Sequence, residues 1–300
     1  MNIISTPPLA AEPIFSIGHL PITNTYLNSL AAVIIILIAG FFIRRKVKDV
    51  PRGIQNLAES LLEFMMEYAD KVTGDRKKTL KIMPLVGSLF IFIVLCNWMG
   101  ILPGIGSIGV YHVVGNAREF IPLFRSANAD LNLTLAMTVL SLVAVHIMGI
   151  TAIGFFRYAS KYIKIVDLWK ALKTLNPTKI MVGFVEFGVG LLEVVQEVTK
   201  IISLSLRLFG NIFAGEVLLT VLSGIIAYLV PLPFIALELL VGAIQALIFS
   251  MLVLVYATVA TTPIESHDGG PESVDEIEKT ANALQDEHRS NLLINPNPQR

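Results

Sequence analysis

Five apolar runs of membrane-spanning length dominate this chain, at residues 26–43, 82–102, 131–156, 180–229 and 234–262. About 20 apolar residues in a helix cross a hydrocarbon core of about 30 Å. No water inside that core can satisfy a peptide group, so such runs read as helices that bond their own backbone. With 54% hydrophobic and 15% charged residues, the 300-residue chain is too apolar for an ordinary soluble domain. The expected fold class is an all-α polytopic membrane protein of about five membrane-embedded helices.

The cations orient these helices. Ten Lys and Arg fall between Arg44 and Lys81, six between Arg157 and Lys179 and three in the tail, against only Arg118 and Arg125 in the loop before residue 130. By the positive-inside rule this partition places the N-terminus outside and the C-terminus in the cytoplasm. Residues 1–25, without Lys or Arg, are expected to form an outer irregular segment. They lack a basic n-region and a long h-region, so the first apolar run is expected to remain in the mature protein. Residues 52–72 place apolar side chains at helical spacing opposite a face of Gln55, Glu59, Glu63 and Glu67. This predicts an amphipathic helix on the membrane interface or against a neighbour. Residues 264–300 read as a polar cytoplasmic tail, at most a short helix. One cysteine, Cys96, excludes an internal disulfide and a multi-thiolate metal cluster.

The stretch 180–229 contains no proline and would be about 70 Å long as one helix, more than one upright crossing absorbs. It is either two helices or one strongly tilted helix. It also carries charge where charge is expensive, about 2.5–3.5 kcal/mol per central charged residue on insertion scales, which points to ion handling. At about 100° per residue, Glu193, Lys200, Ser203, Arg207 and Asn211 share one face over about 27 Å. Glu216 lies nine residues past Arg207, hence rotated by about 180° and about 13 Å nearer the outer side. An arginine keeps its charge and cannot shuttle protons, whereas a buried glutamate can. Arg207 could otherwise form a structural ion pair with Glu193 or Glu197, Asp130 could be the N-cap of the third run, and Lys200 could snorkel to the inner surface. His146 reads as a polar contact between helices.

On the last run, Glu238 and Gln245 are seven residues apart and share a face. A hairpin centred near Leu232 would misplace Glu216 and Glu238 by about 15 Å, unless the turn is offset or the helices tilt. A secondary transporter with an intramembrane Arg/Glu network is the alternative reading, but the repeated halves typical of that class are not evident. No phosphate-binding Gly-Lys motif, metal-ligand cluster or nucleophile with a base is visible, and nothing points to a cofactor, a metal or nucleic acid.

The run SLSLRLFGNIFAGEVL at Ser203–Leu218 closely resembles the arginine-bearing helix of subunit a of the F-type ATP synthase, the membrane stator beside the rotating c-ring. NWMGILPG at Asn97–Gly104, NADLNLTLAM at Asn128–Met137 and the helix of Glu238 and Gln245 extend the resemblance over most of residues 26–263. It implies a non-catalytic, ion-translocating subunit in a bacterial plasma (inner) membrane. Its partners would be the c-ring, the peripheral stalk of subunit b and the lipid bilayer, with ATP chemistry on other subunits. The resemblance further implies that Arg207 meets the c-ring carboxylate, with Asn211 beside it and Gln245 facing it. Glu216, Glu238, Asp130 and Asn128 would line the outer half-channel, and Glu193, Lys200 and Ser203 the inner one. It also implies two long tilted C-terminal helices. Family members often pair a histidine with a glutamate where this chain has Glu216 and Glu238, and two close carboxylates tend to share a proton.

Overall fold

The computed structural model describes residues 11–18, 20–45, 47–48, 50–102, 108–114, 117–162, 177–225 and 231–262. The tail expected at 264–300 lies outside them. A short hairpin of β1 (Pro13–Ile17) and β2 (Leu20–Thr23) leads into helix α1 (Asn24–Arg45). Then come α2 (Ile54–Thr73), α3 (Arg76–Ile101), a second hairpin of β3 (Gly109–Val114) and β4 (Ala117–Pro122), and a single 3-10 turn at Ala127–Ala129. Helices α4 (Leu131–Ile153) and α5 (Phe155–Tyr162) precede two long ones, α6 (Pro177–Ile225) and α7 (Pro231–Thr261). Five of these helices, α1, α3, α4, α6 and α7, are long and apolar enough to cross a membrane. The protein is an all-α polytopic membrane protein with two small antiparallel hairpins and no closed sheet.

The leader is thus not irregular throughout. Residues 13–23 pair as a hairpin, with Gly18 in its turn at φ +64°, a conformation that favours glycine. A second difference concerns the hairpin between α6 and α7. Pro231 and Pro233, on either side of the expected centre at Leu232, instead open α7, where a missing amide proton costs nothing because first-turn amides have no intrahelical acceptor. Helix α6 is one continuous helix of 49 residues, about 74 Å along its axis.

Helix α2 packs on α3 and α7, burying Met65 and Ala69. The chain reverses between α2 and α3 through Gly74, at φ +65°, whose amide donates to the Asp70 carbonyl, while Asp75 caps α3 by accepting from the Lys77 amide at 2.8 Å. Helices α3, α4 and α6 all pack on α7. Their shared core includes Ile82, Val86, Ile93, Leu204, Leu208, Phe249, Val253 and Ala257. Close approach depends on small residues, as is general for helices in lipid. A Cβ on Gly149 of α4 would run into the Tyr158 ring of α5 and come within 2.9 Å of the Ala260 carbonyl of α7. Replacing Gly149 by Val is expected to destabilise the bundle by about 1–3 kcal/mol through overpacking, read as a lowered unfolding temperature of the detergent-solubilised protein.

Candidate functional site

The N-terminal parts of α1, α4 and α7 and the C-terminal end of α3 meet in a buried polar layer. Asn97 of α3 donates to the Gly242 carbonyl of α7 at 3.0 Å and accepts from Asn128 at 2.7 Å. Trp98 adds a second link to α7 by donating to the Leu239 carbonyl at 3.0 Å. Asp130 caps α4 through the Asn132 amide at 2.9 Å and accepts from Thr25 of α1 at 3.2 Å. Asn28 of α1 donates to the Arg125 carbonyl at 2.8 Å, and Ser126 donates to the Cys96 carbonyl at 3.3 Å. Gly100 makes room for this crossing, since a Cβ there would stand 2.6 Å from the Ser126 backbone. The segment 125–130 is therefore pinned by side chains from two helices and by one absent side chain.

That pinning fixes Arg125. Its side chain is only 3% exposed, and its Nε lies 2.8 Å and 3.1 Å from the two carboxylate oxygens of Glu216 on α6. Glu238 of α7, 8% exposed, lies against Gly215, where any Cβ would collide with its carboxylate. Arg125, Glu216 and Glu238 line one cavity of about 530 Å³, together with Ser126, Thr220 and Ser223. Asp130 and Asn128 are not among its walls; they hold the layer together. The contact of Gly215 with Glu238 is offset from a hairpin centred near Leu232, since the two residues are 17 and 6 positions from it. This offset brings the two glutamates to one level.

Towards the other end of α6 lies a second polar cluster. His146 Nδ1 of α4 is 2.7 Å from the Tyr158 hydroxyl of α5, and its Nε2 is 3.7 Å from Glu197 of α6. Lys200 donates to Glu197 at 2.8 Å, and its Nζ lies 5.1 Å over the Tyr256 ring of α7. Lys200 thus turns into the bundle to meet a carboxylate instead of snorkelling to the inner surface. Glu193 is half-buried, with one carboxylate oxygen enclosed and no hydrogen-bond partner for it.

Between these clusters Arg207 stands on the outward face of α6. It is exposed, and its guanidinium reaches only the Ser203 hydroxyl, at 3.5 Å. Glu197 is engaged by Lys200 and His146, so the alternative of an Arg207–Glu197 ion pair is not realised. Asn211 is half-buried one turn further on, and Gln245 is buried on α7 with its Nε2 unbonded. No hydrogen bond joins Gln245 to Arg207. Glu216 faces the cavity on the opposite side of α6, as the half-turn spacing predicts. Among the described residues no group of three or more His, Cys, Asp or Glu side chains could hold a metal ion.

Sequence reasoning missed Arg125, Tyr158, Glu197 and Tyr256 as members of these clusters. Arg125 carried the one available signal: a cation five residues before Asp130, in a segment otherwise nearly free of cations.

These features define a polytopic membrane protein whose longest helix presents charge at three levels, two enclosed and one exposed. The profile of a family described as ATP synthase A chain matches residues 26–258. The ATP synthase subunit a of Moorella thermoacetica is 31% identical over 243 residues, covering 81% of this chain and 93% of the relative. Those of Campylobacter jejuni and Mycobacterium leprae are 32% and 33% identical, covering 80% and 82% of this chain and 89% of each relative. The chain belongs to the ATP synthase A chain family, the subunit a family of the ATP synthase membrane sector.

Replacing Asn97 by Leu removes the Gly242 carbonyl's donor and the Asn128 amide's acceptor together. An expected loss of about 1–3 kcal/mol is checked by thermal unfolding of the purified protein in detergent.

Proposed function

We propose that this chain is the proton-conducting stator of a rotary ATP synthase, with two half-channels offset along α6 and Arg207 between them. The observation that carries this reading is the placement of Arg207. It stands exposed on α6 beside Ser203, about 15 Å along the helix from Glu197 on one side and about 13 Å from Glu216 on the other. A bare guanidinium facing lipid would be expensive, so this face calls for a partner that brings a carboxylate. The c-ring is that partner. The cavity of Arg125, Glu216 and Glu238 forms the outer half-channel, and the polar groups around Glu193, Lys200 and Glu197, with Ser203 nearest the arginine, form the inner one.

In this mechanism a proton enters the outer cavity and passes by way of its carboxylates to a c-ring carboxylate, which turns neutral and leaves Arg207 for the lipid. After rotation the ring carboxylate returns from the other side and releases its proton inward. Arg207 favours the ionised form of the arriving carboxylate and blocks direct leakage between the two paths. Asn211 and Gln245 stay near that encounter as neutral hydrogen-bonding groups, and Asp130 and Asn128 hold the polar layer that positions Arg125. The N-terminus lies outside and the C-terminus in the cytoplasm of a bacterial inner membrane, with subunit b anchoring the stator. ATP chemistry belongs to other subunits.

Arg207→Ala is expected to abolish ATP-driven proton pumping in inverted vesicles carrying the assembled complex, whereas Glu238→Gln reduces it. Full pumping by Arg207→Ala would sink the proposal.

A further inference from the structure

We propose that Arg125 is the fixed cation of the outer cavity and that it divides labour between the two glutamates there. Glu216 serves as its permanent counter-ion, and Glu238 alone loads and delivers the proton. This inference rests on the outer half-channel reading above and assigns the chemistry inside it.

The argument begins with Arg125 itself. A guanidinium stays protonated under any biological condition, and one whose side chain is 3% exposed needs a counter-charge. Glu216 supplies it through both oxygens. Protonating Glu216 would leave the buried guanidinium without that partner, so a transferable proton belongs elsewhere. Glu238 is the carboxylate that meets the requirement. It lines the same cavity, is placed by the missing side chain of Gly215, and its Oε1 has no hydrogen-bond partner.

The surrounding charges fit this division. Glu12, at the start of the N-terminal hairpin, lies within electrostatic reach of Glu216, and Glu216 within reach of Glu238. Three carboxylates therefore gather near one guanidinium. Without the cation, Glu216 and Glu238 would tend to share a proton and hold it too firmly to pass on. With Arg125 engaged by Glu216, a hydronium ion can give its proton to a Glu238 oxygen and become water. The proton then leaves Glu238 for the c-ring carboxylate, and Glu238 returns to its anionic form. Nothing is oxidised or reduced.

The Arg125 backbone is held independently of this chemistry, by Asn28 at its carbonyl and by the close passage of Ser126 over Gly100. Its side chain can therefore be altered while its anchorage remains. Arg125 acts through Glu216 and is a positioning residue.

The test is a charge-balanced double substitution, with proton pumping measured in vesicles and normalised to the amount of complex that co-purifies with the c-ring. Glu216→Gln alone removes the carboxylate that balances Arg125 in the cavity and is expected to slow pumping by about tenfold or more. Adding Arg125→Gln removes the excess positive charge and is expected to recover most of that loss, because Glu216 carries no proton. Glu238→Gln is expected to be slow by a similar factor and not to be rescued by Arg125→Gln. A double variant no faster than Glu216→Gln overturns the division of labour, as does wild-type pumping by Glu216→Gln. Wild-type pumping by Glu238→Gln would instead overturn the outer half-channel reading itself. If Glu216→Gln does not assemble, Arg125→Lys and Arg125→Gln decide: a lysine variant about tenfold faster than the glutamine variant supports the fixed cation, and equal rates overturn it.

Discussion

The ion pair between Arg125 and Glu216 joins groups 91 residues apart and sits where solvation is poor, with the arginine side chain 3% exposed. Removing one partner of such a pair typically costs about 3–5 kcal/mol, because the survivor is left charged and buried. The polar layer around the N-terminal ends of α1 and α4 is arranged around that constraint. Asn28 holds the Arg125 carbonyl, Gly100 lets the segment cross α3, and the chain from Asn128 through Asn97 to the Gly242 carbonyl ties the same segment to α7. Glu238 reaches the cavity because Gly242 and Gly215 allow close contacts of α7 with α3 and α6. Each of these bonds satisfies a polar group that hydrocarbon would penalise.

Helix α6 connects that layer to the rest. Its N-terminal half is clamped by Glu197, which meets Lys200 on its own helix and His146 on α4, while Tyr158 fixes the far side of the imidazole. Its middle is different: Arg207 and Ser203 face outward, away from the core that Leu204, Leu208 and Ile212 build on the other face. One helix thus carries an enclosed polar cluster towards each end and an exposed cation between them. The proposed proton transfer past a rotor requires such separation, since a continuous polar path would leak.

Much of this was legible beforehand, for reasons of periodicity. Apolar runs report helices because lipid leaves the backbone no other partner. The half-turn between Arg207 and Glu216 follows from nine residues at helical pitch, and their opposite exposure agrees with it. Asp130 sits before an apolar run, the ordinary place for an N-cap, and it does cap α4. The hairpin centre was not legible, because Leu232, its expected position, lies between two prolines that form the first turn of α7. The short β1–β2 hairpin was missed as well, as its strands carry too few residues for a period-two pattern to stand out.

What the amino-acid order determined by itself is local or helical: the spans, the face of Arg207 and the family to which the chain belongs. What only the tertiary structure decided is which charges meet. Arg125 counts as one loop cation among few until the fold carries it onto Glu216, and Glu197 is one polar residue of a long stripe until α4 brings His146 beside it. Both contacts join segments distant in sequence, and no periodicity encodes them. They arise because a charge buried among apolar helices has to find its partner in whatever element the packing places alongside.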